Sequence, residues 1–121
     1  VDYSIIPDDK NLIQEKLRNL SDLGHQLILI TGGTGIGKKD VTPEAVLELI
    51  DQELPGIAET ARQYGQLRVP TSMLSRSVAG LMGQTLIIAM PGSTGAVTEY
   101  MDALFPHVLH VFPVLEGHRH E

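Results

Sequence analysis

Apolar residues at Leu12, Ile13, Leu17 and Leu20 recur at helical spacing and predict a helix over 11–20 with one buried face. Ahead of it, 1–6 reads as a strand ended by Pro7. Residues 27–30 are an unbroken apolar run, the pattern of a strand buried on both faces of a parallel sheet. Ala45, Val46, Leu49 and Ile50 form a second helical face. Its start is marked by Thr42-Pro43-Glu44: a capping hydroxyl, a proline where the missing N–H is harmless, and an acid at the positive end of the helix dipole. Glu53-Leu54-Pro55-Gly56 ends that helix, 57–64 predicts a short further one, and 70–79 suggests another around Met73 and Leu74. A third apolar strand, 85–90, runs into Pro91-Gly92-Ser93-Thr94-Gly95, followed by a helix over 96–104 that stops near Phe105-Pro106. From His107 the chain is apolar to Leu115 and then polar.

Strands alternating with helices predict a three-layer α/β/α sandwich with a mostly parallel sheet, whose ligands bind at the carboxyl ends of the strands. Both glycine-bearing loops leave strands at that edge. No repeat, linker or low-complexity tract interrupts the pattern, so 1–121 reads as a single domain.

Composition narrows the chemistry. The 121 residues contain no cysteine, which excludes disulfides, thiol redox chemistry and Cys-ligated metals. No leader pattern and no bilayer-length apolar run is present, so the expectation is a soluble, cytoplasmic protein without a membrane partner. Nine Lys+Arg against 15 Asp+Glu give a formal charge of -6, which opposes binding to nucleic acid. Residues 61–98 nevertheless carry no carboxylate while holding Arg62, Arg68 and Arg76, a stretch where an anionic ligand is tolerated.

The stretch Leu27-Ile-Leu-Ile-Thr-Gly-Gly-Thr-Gly-Ile-Gly-Lys-Lys-Asp40 matches G-x-x-x-x-G-K at Gly32 to Lys38, the spacing of a phosphate loop. Lys39 stands where Ser or Thr should hold magnesium. A helix begun at Gly37 would also contain Pro43 in its interior, at a cost of about 3 kcal/mol. The helix therefore starts near Thr42, and the other buried strand ends in Pro91-Gly92 rather than a magnesium-binding Asp. What remains is a turn, Thr31-Gly32-Gly33-Thr34-Gly35, offering backbone N–H groups and hydroxyls, with Asp40 just before a helix N-terminus. Those are parts for cradling an anion and placing a cation beside it. Equally, an isolated Gly-Gly pair is often just a tight strand-to-helix turn. His107 with His110, and His118 with His120, invite a metal reading, but no further residue completes the four ligands that structural zinc requires.

Four blocks in order, 31–45, 53–62, 70–80 and 85–97, resemble the molybdenum-cofactor biosynthesis family that includes bacterial MogA and MoaB and the G domains of plant Cnx and gephyrin. The resemblance implies adenylylation of molybdopterin with ATP and Mg2+, releasing pyrophosphate. It also implies a cytoplasmic homotrimer. It assigns Asp8 and Asp40 as catalytic aspartates that position magnesium. Thr31, Gly32, Gly33, Thr34, Gly35, Pro91, Gly92, Ser93 and Thr94 become binding residues for pterin phosphate and nucleotide, with Ser75 and Arg76 lining the pocket. By residue type alone, Asp8 reads as a helix N-cap, a role Asp9 fills equally well. The alternative function within the resemblance is a non-catalytic molybdopterin-binding or scaffold paralogue. Two departures stand out: the family's first strand–helix unit does not appear before Val1, and Gly95 stands where many relatives carry Lys.

Overall fold

The computed structural model describes residues 1–117, so the tail histidines His118 and His120 lie outside the described residues. In chain order the elements are α1 (Lys10–Asp22), β1 (Leu27–Thr31), α2 (Thr42–Leu49), β2 (Gln52–Glu53), α3 (Pro55–Gln66), β3 (Ala79–Met82), β4 (Thr85–Met90), α4 (Thr94–Leu104) and α5 (Val111–Leu115). Short 3-10 turns cover Pro70–Leu74 and His107–His110.

Among the described residues the sheet has the order β1-β4-β3-β2. Its two longest strands, β1 and β4, run parallel with Leu29 opposite Ile88. The two shorter strands add antiparallel pairings, β3 to β4 and β2 to β3. The parallel arrangement thus belongs to the pair of strands that carries both glycine loops.

β4 is the centre of the core because every one of its residues is buried. Leu86, Ile88 and Met90 pack with Ala61 of α3 and with Tyr100 and Leu104 of α4. Ile87 and Ala89 face the other way, onto Ile13 and Leu17 of α1 and Ala45 and Val46 of α2. The period-two alternation of a strand therefore serves two helical layers at once, which gives the expected α/β/α sandwich.

Several elements differ from the sequence expectation. Residues 1–6 form no strand, and Val1, Tyr3 and Ile5 are exposed. Asp2 is tied to His25 at 2.6 Å, yet a cavity of about 420 Å³ separates this segment from β1. With that cavity between them, its backbone does not join the ladder at the open edge of β1. β1 itself is an edge strand, which leaves Leu29 38% exposed rather than buried on both faces as its apolar run suggested. The helix expected over 57–64 starts at Pro55 and reaches Gln66. Of the span 70–79, only Pro70–Leu74 is helical, as a 3-10 turn, and Ala79 already belongs to β3.

Candidate functional site

Two loops meet at the carboxyl ends of the parallel strands. The first follows β1: Gly32 and Gly33 take φ of +94° and +68°, the left-handed region that favours glycine. Gly32 N–H donates to Met90 O at 2.9 Å, which fastens this loop to the end of β4. The second loop follows β4, and a Cβ added at Gly92 would lie 3.2 Å from Gly32 Cα. The two loops pack backbone against backbone. A side chain at Gly92 would press on Gly32, whereas at Gly32 it is the positive φ and not lack of space that favours glycine.

Beyond Gly33 the chain turns back into α2, whose N-cap is Val41 and whose second residue is Pro43. The helix starts at Thr42, as the proline required. Thr42 is inside the helix rather than capping it, and its hydroxyl fills the space where a Gly33 Cβ would go. Thr42 N–H donates to Gly33 O at 3.1 Å. Asp8 Oδ1 lies 3.5 Å from the same Cβ position. Asp9 caps α1 by accepting the Leu12 N–H at 3.0 Å, so Asp8 is released from that role and faces the loop.

Asp40 closes the far side of the same loop. Its Oδ2 accepts the Gly37 N–H at 2.9 Å and would sit 2.8 Å from a Cβ at Gly35. The amide that a phosphate loop would aim at a ligand is thus turned onto Asp40. Lys38 and Lys39 are exposed on the turn. Asp8 and Asp40 therefore flank one five-residue stretch, Asp8 at Gly33 and Asp40 at Gly35 and Gly37.

Arg76 holds that stretch in shape. Its backbone N–H donates to Thr34 O at 2.7 Å, its Nε to Gly35 O at 2.7 Å and its Nη2 to Asp40 O at 2.6 Å. Nη1 meets Glu44 Oε2 at 2.5 Å. The hydrogen bond from Arg76 holds the Glu44 carboxyl below its ordinary value of 4.5, and the same bond raises the guanidinium. In this arrangement Arg76 is a loop clamp, with its donors turned to the protein's own carbonyls.

The predicted residues divide: some line one of two cavities, whereas Gly33, Thr34, Gly35, Asp40, Arg76, Gly92 and Thr94 line neither of them. Asp8, Thr31, Gly32 and Thr42 line one end of the cavity beside β1. Ser75, Pro91 and Ser93 line a second cavity of about 240 Å³. Ser93 caps α4 by accepting the Ala96 N–H at 3.1 Å, and Thr94 is the first residue of that helix. Thr34 is buried, 3% exposed, and it contributes through its carbonyl.

Sequence reasoning missed four supporting residues. Glu44 was visible only as a helix-dipole acid, although it anchors Arg76. Arg62 donates to Ser75 O at 3.2 Å and Ser77 O at 3.0 Å, and its place in the carboxylate-free stretch was the available signal. Tyr100 donates to Ser77 Oγ at 2.7 Å inside the core, a contact across 23 residues that no local pattern announces. Glu99 also lines the second cavity. Among the described residues no group of three or more His, Cys, Asp or Glu side chains is placed to hold a metal ion.

The family model described as "Probable molybdopterin binding domain" matches residues 1–110. The chain is 42% identical over 101 residues to a molybdopterin adenylyltransferase of Haemophilus influenzae, covering 83% of this chain and 51% of that protein. It is 41% identical over 114 residues to a molybdenum cofactor biosynthesis protein B of Staphylococcus carnosus, covering 89% and 67%. Among solved structures, the molybdopterin biosynthesis Mog protein of Mycobacterium ulcerans superposes with a TM-score of 0.89 at 39% identity, over 95% of this chain and 74% of that one. The chain spans about half the length of the Haemophilus relative.

Proposed function

The chain belongs to the molybdopterin-binding domain family, and on that premise we propose that it acts in molybdenum cofactor biosynthesis as a molybdopterin adenylyltransferase. An oxygen of the terminal molybdopterin phosphate attacks the α-phosphorus of ATP. The bond from that phosphorus to the pyrophosphate oxygen breaks, and pyrophosphate leaves with the bonding electrons. The products are adenylyl-molybdopterin and pyrophosphate.

One observation carries this reading: Asp8 and Asp40 lie against opposite parts of a single glycine loop that is packed on the second loop through Gly32 and Gly92. Two phosphate-bearing substrates need two cradles side by side, so that the reacting oxygen and phosphorus are held within reach. Backbone N–H groups of 33–35 and of 92–94 supply donors for charge that develops on the phosphates. Asp8 and Asp40 suit magnesium, which is held through one or two carboxylates while keeping waters and substrate phosphates. When bound, the ion neutralises phosphate charge and orients the groups for in-line displacement. Arg76 acts through the loop, fixing the carbonyls of Thr34, Gly35 and Asp40 so that the donors between them stay aimed. The same reading carries a homotrimeric, cytoplasmic protein.

The test is incubation with molybdopterin, ATP and magnesium, followed by detection of adenylyl-molybdopterin. The wild-type protein is expected to form it, and Asp40→Asn to lose at least 100-fold in rate, in the range typical of removing one electrostatic group from a reacting centre. An unaffected Asp40→Asn overturns the role of that residue. Molybdopterin binding without product from the wild-type protein selects the binding-only paralogue.

A further inference from the structure

The strip 75–78, between the 3-10 turn and β3, touches both halves of the candidate site. On one side the Arg76 N–H donates to Thr34 O at 2.7 Å, and the Arg76 side chain fastens Gly35 O and Asp40 O. On the other, Ser75 lines the second cavity together with Pro91 and Ser93. A shift of this strip therefore moves one cradle against the other.

What holds the strip differs along its length. Its downstream end is fixed by the core: the Ala89 N–H of β4 donates to Val78 O at 2.9 Å, and Tyr100 of α4 donates to Ser77 Oγ at 2.7 Å. Its upstream end is held by Arg62 of α3. Nη1 carries two hydrogens, and they go to Ser75 O at 3.2 Å and Ser77 O at 3.0 Å. These carbonyls flank Arg76, whose own amide points the opposite way to Thr34 O, as alternation along an extended backbone gives. The support is firm, because Ala58, Ala61 and Gly65 of α3 are buried and Ala61 packs in the core with Leu86 and Tyr100. Arg62 lines neither cavity, so its influence on the loops passes through the strip.

We infer that Arg62 is a positioning residue: from α3 it fixes the strip at Ser75 and Ser77 and, through Arg76, sets the glycine loop against the second cavity. The kinetic consequence rests on the adenylyl-transfer reading. Orientation supplies much of the acceleration when two bound substrates react, and a misplacement of about 1 Å can cost about 100-fold in rate. The loss therefore falls on turnover more than on binding. An arginine that served stability alone would instead loosen every element together.

The test compares the wild-type chain with Arg62→Met, which keeps an apolar stem, and Arg62→Lys, which keeps a cation with three donors. Amide hydrogen exchange is read first, without substrate. In Arg62→Met the amides of Arg76 and Thr42 are expected to exchange at least about tenfold faster while those of β4 stay protected, and Arg62→Lys to restore part of the protection. With molybdopterin, ATP and magnesium, Arg62→Met is expected to lose about 10- to 100-fold in kcat with KM within about twofold of wild type, and Arg62→Lys to lie between. The inference is overturned if exchange rises equally in β4, if Arg76 and Thr42 are unchanged, or if a loosened loop leaves kcat as it was or alters KM alone. Should Arg62→Met not fold, Arg62→Lys carries the same comparison. A wild-type chain that forms no adenylyl-molybdopterin discards the transferase reading, and the exchange pattern alone then upholds or overturns the hold of Arg62 on the loop.

Discussion

Arg76 shows how a residue can be found by sequence and still be given a different task by the fold. The carboxylate-free stretch and the family resemblance place it in an anion pocket, but the guanidinium fork is spent on Gly35 O, Asp40 O and Glu44. Lysine keeps the charge but cannot span three acceptors from one plane. Arg76→Lys is expected to lower the unfolding midpoint, through the loss of one or two charged hydrogen bonds, and to slow adenylylation more than it weakens ATP binding. Denaturant unfolding and steady-state kinetics check the two halves of that expectation. Glu44 adds a pH signature: its folded pKa is lowered below 4.5, so its contribution is full above the unfolded value and is lost as pH falls through the folded one. Stability measured against pH should fall below about pH 4.5, more steeply for the wild-type protein than for Glu44→Gln. Gly33 is the other residue whose role was legible in part. The Gly-Gly pair signalled a turn, and the structure adds that Gly33 is left-handed and pressed against Thr42. Gly33→Ala should cost roughly 1–3 kcal/mol from backbone strain alone, with the collision added, readable as a lowered thermal midpoint.

At the scale of elements, what was legible depended on length and on where the partner lies. α1, α2, α4 and β4 carry enough periodic residues, or a strong enough start signal such as Pro43, to be read locally. β2 has two residues and β3 four, and β3 contains Gly80, whose missing side chain makes room for Gln52 O in the neighbouring strand. Such strands exist because β4 is already in place to pair with, so their own sequence says little. Residues 1–6 fail in the opposite sense: the sequence has strand character, but the segment forms no strand and a cavity lies between it and the β1 edge. Asp40, Gly32 and Gly33 were legible as a site because the loop is contiguous, whereas Glu99, Ser77 and Tyr100 converge only after α4 packs on α3. The asymmetry has an energetic consequence in β4. Ile87 is fully buried between α1 and α2, and Ile87→Ala is expected to cost about 2–5 kcal/mol. Both glycine loops hang on the ends of β1 and β4, so ligand binding should fall in step with stability in a urea titration of that variant.

At the scale of the whole molecule, the charge of -6 and a surface with separate apolar patches bear on the proposed trimer. No helix among the described residues is long and apolar enough to cross a membrane. One apolar patch lies along the β1 edge, where Tyr3, Ile5 and Leu29 are exposed. The other lies where α3 runs into the 3-10 turn: Leu67 is 85% exposed and Met73 68%, with Val69 and Leu74 beside them. Symmetry decides which of these suits a trimer. Antiparallel pairing of two β1 edges is isologous, so it makes a two-fold dimer and uses up the edge. A closed three-fold ring needs two different surfaces on each copy, and the Leu67–Leu74 patch, which lies off the sheet edge, is proposed as one of them. Sedimentation at micromolar concentration is therefore expected to show a trimer that Leu67→Glu combined with Met73→Glu converts to monomer with unchanged circular dichroism. Leu29→Lys, a charge on the open edge, should leave the trimer intact. A monomeric wild-type protein would remove the trimer, and a trimer lost only with Leu29→Lys would move the contact to the β1 edge.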